Sequence, residues 1–131
     1  MSWDRDVALR KLVTEDKLSG PNLIIGRMWV YHHDLEWRMQ VYSEAKTEYD
    51  RRLSRVVVQM RNEGEKNYDV CKHVAHMDDE VHNAHLAYRM AEQMVTADRE
   101  ALRILHAQLE AYRTEQANQR AADQFQARTQ P

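Results

Sequence analysis

The chain has 131 residues, a formal net charge of −2, 31% charged and 43% hydrophobic residues, three glycines, two prolines and one cysteine. That balance excludes phosphate binding driven by bulk positive charge, and the lone Cys71 excludes an internal disulfide or a cysteine zinc site. The longest nearly apolar stretch, 23–31, contains Arg27 and falls far short of the ~20 residues that cross a bilayer, so the expectation is a soluble protein of a reducing cytoplasm.

Asp4 or Asp6 can cap a short first helix over 5–17 that carries Val7, Leu9, Leu12 and Val13. Ser19-Gly20-Pro21 ends it and opens a second helix over 21–61, with Pro21 in its first turn and Gly26 a weak point. Between Arg27 and Gln130 there is no proline and a single glycine, too few turn residues for a strand-rich fold. One turn cluster, Asn62-Glu-Gly-Glu-Lys-Asn-Tyr-Asp69, separates the second helix from a third over 69–118. The Gln-, Ala- and Arg-rich tail 117–131 is expected to fray, leaving 1–116 as a single helical domain.

Positions 74, 77, 81, 84, 88, 91, 95, 98, 102, 105, 109 and 112 alternate three and four apart and are apolar save Asp98, a heptad seam. A poorer seam runs through Met28, His32, Leu35, Met39, Tyr42, Lys46, Tyr49, Leu53, Val56 and Met60. A short loop makes neighbouring helices antiparallel, so the fold class expected is all-α: a short N-terminal helix plus a long antiparallel coiled-coil hairpin. With the loop centred near 65, residue i faces about residue 131 − i. Tyr42 then lies beside Tyr88, Tyr49 beside Val81 and Ala84, and Val56 beside Val74.

The same rule places His32 near Asp98, and a buried Asp needs a partner, so these two are expected to form a polar core pair that fixes register. It also leaves Leu105, Leu109 and Tyr112 beyond the first long helix. Trp3, Val7 and Leu12 of the N-terminal helix can cover part of that stripe, and the remainder is expected to be an interface for a dimer or a partner helix. Arg51, Arg52, Arg55 and Arg61 gather toward the hairpin tip, the patch a nucleic-acid-binding accessory protein would use, although acidic residues interleave them.

No catalytic signature accompanies this pattern. His73, His76, His82 and His85 point around the axis of one continuous helix and cannot converge on an ion, and neither Glu-x-x-His nor His-Glu-x-x-His occurs, so no metal or cofactor is expected. The glycines form no phosphate loop, and Cys71 has no partner positioned to activate it.

Three segments and the loop between them carry a family likeness: Tyr42-Ser-Glu-Ala45-Lys-Thr-Glu-Tyr49, Tyr88-Arg89-Met-Ala91-Glu92, Arg99-Glu-Ala-Leu102-Arg-Ile-Leu105-His-Ala-Gln108-Leu109-Glu-Ala-Tyr-Arg113-Thr, and the loop around Gly64. Over about 35–120 the chain resembles small uncharacterised helical proteins of actinobacterial bacteriophages, departing from them where Glu65 and Lys66 follow the loop glycine. The resemblance implies a phage origin and action in the host cytoplasm, and it carries no site residues. The function expected is therefore a non-enzymatic protein that binds a host or phage component of replication, recombination or defence, with nucleic-acid binding as the alternative.

Overall fold

The computed structural model describes residues 2–129; Met1, Gln130 and Pro131, which belong to the expected domain and tail, lie outside the described residues. It is all-helical, with α1 (Arg5–Thr14), α2 (Gly20–Asn62), α3 (Tyr68–Ala75) and α4 (Asp79–Thr129). No helix among the described residues is long and apolar enough to cross a membrane. The chain forms two compact units: one comprises the chain up to Asp34 and from Asp98 onward, the other Leu35–Ala97.

Local capping explains the helix boundaries. Asp4 accepts hydrogen bonds from the Asp6 and Val7 amides and starts α1. α1 closes at Thr14, earlier than the expected 17, because the Glu15 and Asp16 amides both turn back to the Lys11 carbonyl and Lys17 takes a left-handed φ of 53°. α2 ends in a Schellman motif: the Glu65 amide bonds the Met60 carbonyl, the Gly64 amide bonds the Arg61 carbonyl, and Gly64 sits at φ 110°, where a Cβ is strained.

The third expected helix is two. Asn67 caps α3 through the Asp69 and Val70 amides, and Asp78 caps α4 through the Glu80 and Val81 amides, so the chain turns at His76–Asp78. That break rotates α3 relative to the heptad expected of a continuous helix. Val74 and Met77 are 40% and 70% exposed, while Cys71 and Ala75 are fully buried. Cys71, Ala75 and Val81 close a core with Leu53 and Val57, flanked by Tyr49, Val56 and Met60. Burial of Leu53, Val57 and Val81 contributes roughly 1.5–3 kcal/mol each.

From Val81 onward the heptad holds: Val81, Ala91, Val95, Asp98, Leu102, Leu105 and Leu109 are all buried. Pairings between α2 and α4 in the second unit run in opposite chain directions, with Tyr42 against Tyr88 at 5.6 Å between ring centroids and Arg52 against Glu80 at 2.8 Å. The tail expected to fray continues α4 to Thr129, with every residue from Arg113 to Thr129 exposed.

On α2 the expected seam holds from Tyr49 through Leu53 and Val56 to Met60, and fails at three positions nearer the N-terminus. Val30 and Asp34 are buried and Tyr31, Arg38, Val41 and Ala45 half-buried, whereas His32, Met39 and Lys46 are exposed. Charged residues at inward positions disguised the phase.

Candidate interaction cleft and its acidic latch

In the first unit, α1 carries no buried residue and is held through three named contacts. Leu12 and Leu18 lie over Gly26, where an added Cβ would stand 3.0 Å from Leu18 Cδ1 and 3.2 Å from Leu12 Cδ2. The weak point expected in α2 is therefore a place of close helix approach. Just before α1, the Trp3 indole N–H donates to Asp34 Oδ1 at 2.7 Å, and its ring meets His33 edge-on at 4.2 Å. Within α1, the Arg5 guanidinium reaches Asp98 Oδ1 at 3.3 Å and Asp34 Oδ2 at 3.7 Å.

This latch corrects the expected His32–Asp98 pair. Asp98 is buried as anticipated, at 1% exposed, but His32 points outward and the partners are Asp34 and Arg5. Two buried carboxyls that both face the Arg5 guanidinium favour holding one proton between them, and Asp98 Oδ2, buried without a protein donor, can carry it. Burial, then the Asp34 hydrogen bond and charge, push the Asp98 carboxyl up to about 7 against the pull of Arg5. One proton on the pair leaves one negative charge opposite one guanidinium, the neutral arrangement a buried site favours.

Arg5 also lies over the Tyr31 ring at 5.5 Å, and Tyr31 forms part of the wall of an open cleft of about 610 Å³. Leu9 and Val13 of α1 with Ala101, Ile104 and Leu105 of α4 make its apolar lining. Arg10, Thr14, Arg27 and Gln108 complete it. Val13 and Ile104 remain 51% and 45% exposed.

The interface expected at the far end of α4 is rearranged. Leu105 and Leu109 are only 6% and 7% exposed, so they are core and not an uncovered stripe. The 131 − i relation itself puts Gly26 and Asn22 opposite them, inside the helix already expected over 21–61 and inside α2 as it forms from Gly20, so only Tyr112, opposite residue 19, lies past its start. Tyr112 is half-buried, Leu12 lies against Gly26, Trp3 belongs to the latch, and Val7 is 42% exposed.

In the second unit, Arg51 and Arg52 both pair with Glu48, and Arg52 also with Glu80. Arg55 lines a small cleft with Asp78 and Glu80, and Arg61 is exposed. The expected nucleic-acid patch thus lies among carboxylates that cancel much of its field.

Also in this unit, the break between α3 and α4 makes a cluster that reasoning on one continuous helix missed. His76 Nδ1 lies 2.7 Å from the Lys72 carbonyl, so it carries the proton, and Nε2 accepts from the Tyr49 hydroxyl at 2.7 Å. His85 meets His76 at 5.4 Å, and Tyr88 stacks on Tyr49 at 5.7 Å. Burial, then the charges of His76, Arg89 and His82, hold the His85 imidazole below its usual range. His73 and His82 are exposed, and among the described residues no group of three or more His, Cys, Asp or Glu side chains is placed to hold a metal ion.

No protein-family model, curated protein or solved structure matches this chain.

Proposed function

We propose that the chain is a non-enzymatic interaction protein, phage-encoded and acting in the host cytoplasm, whose helices pair as an antiparallel coiled-coil hairpin and which binds a host or phage protein. The observation that carries this reading is the cleft of the first unit. A soluble chain gains nothing by leaving Val13 and Ile104 half in water beside a hollow already floored by Leu9, Ala101 and Leu105, unless another surface fills it. The titratable clusters support this reading over catalysis. The Asp34 and Asp98 carboxyls are buried and engaged by Arg5, and the Tyr49–His76 pair has its polar atoms already satisfied by each other and by the chain.

The test is capture of partners by wild-type protein and by an Ile104→Glu variant, with light scattering on both to register self-association through the same cleft. The reading expects a discrete partner, or a second copy, held by wild type and lost by the variant. Partners retained equally by both would remove the cleft from the function. Steeply salt-dependent retention on DNA, lost on reversing Arg55 and Arg61, would replace the reading with the nucleic-acid one.

A further inference from the structure

Resting on that reading, we infer that the cleft of the first unit takes an acidic amphipathic helix of a partner protein. Its lining contains Arg10 and Arg27 and no aspartate or glutamate, in a chain that has more acidic than basic residues, 21 against 19. Arg5, Arg51, Arg52, Arg89, Arg103 and Arg113 are in ion pairs among the described residues, and of the arginines that are not, Arg10 and Arg27 are the two that line this cleft. Two uncommitted guanidiniums beside an apolar floor select an occupant that offers carboxylates on either side of an apolar stripe.

The walls decide its backbone. Both Leu9 and Val13 and Ala101, Ile104 and Leu105 sit on helices whose interior N–H and C=O groups are already bonded, so no edge is available for an extended peptide to pair with. An extended segment laid on this floor would leave its own backbone groups unmet, and a helix satisfies them internally. From Ala101 to Gln108 the floor runs ~10 Å, two turns, which fits three apolar anchors at i, i+3 or i+4, and i+7.

The test selects binders from a display library of random 14-residue helical peptides on the full-length protein, then measures the enriched peptides by fluorescence anisotropy. The expected winners are net acidic with apolar residues at i, i+3 or i+4, and i+7. Their binding should weaken at least tenfold in an Arg10→Glu/Arg27→Glu variant and stay within twofold in Arg120→Glu/Arg128→Glu, which changes net charge equally on the exposed end of α4. Neutral or basic winners, equal losses in the two charge-reversal variants, or no enrichment would overturn the inference. Winners of other chemistry that are still lost with Ile104→Glu would leave the protein-binding reading standing while refuting the acidic helix. Circular dichroism of each variant confirms that the fold is intact.

Discussion

The Asp98 carboxyl is buried beside Asp34 of α2 and Arg5 of α1, whose guanidinium also lies over the Tyr31 ring. Its ordinary value of 3.8 is raised to about 7 in the folded protein, mainly by burial and then by Asp34. The folded state therefore holds a proton that the unfolded chain has released between pH 4 and 7. Stability from this group is fully present below pH 4, falls as pH rises through that window, and levels off above 7. At about 1.4 kcal/mol for each pH unit, the total is roughly 4 kcal/mol. Asp98→Asn keeps the shape, stays neutral at every pH and can donate its amide to Asp34. It loses the attraction of Arg5 for a charged Asp98, so the net gain expected at pH 7.5 is about 1–3 kcal/mol. The assay is urea unfolding of both proteins from pH 5 to 8, read as the difference between them, which cancels the contributions of Glu48, Glu100 and His85. The variant should become progressively more stable than wild type as pH rises, with an unchanged denaturant slope. A difference that is flat with pH, or a variant that loses stability most at high pH, would refute the shared proton and mean that Arg5 holds Asp98 ionised.

Trp3→Phe keeps the ring against His33 but removes the N–H bound to Asp34, and should cost about 2 kcal/mol while speeding proteolysis in the 15–19 connection. Gly26→Leu drives a side chain into Leu12 and Leu18; it should undock α1, with a loss of about 1–3 kcal/mol and loss of partner binding in the cleft, and full binding with normal stability would refute the close approach. Tyr49→Phe leaves His76 Nε2 without its donor and should cost about 1 kcal/mol in chemical denaturation. Gly64→Ala meets a φ of 110° in the Schellman turn and should destabilise by about 1–3 kcal/mol, while an alanine at exposed Glu63 should change little.

Some of this protein is written in short-range terms that a linear reading reaches. The scarcity of glycine and proline fixes helix as the only regular structure, Asp4 caps where its neighbours allow, and the heptad from Val81 to Leu109 names the buried face of α4. These follow from interactions three or four residues apart, which a sequence displays directly. The break at His76–Asp78 was also available, since Asp78 followed by Asp79-Glu80 has the pattern of a capped acidic first turn, but an unbroken apolar spacing outweighed it. The site was far less legible. Asp34 and Arg38 look like surface residues and hide the phase of α2, so His32 took the place beside Asp98 that Asp34 holds. Burying Asp34 is unfavourable for α2 by itself. It becomes tolerable only when Trp3, 31 residues away, donates an N–H and Arg5 and Asp98 bring a charge and a proton, groups that meet only after the helices have packed. Local propensity determined where the helices are, and long-range polar partnership determined which of their faces turned inward.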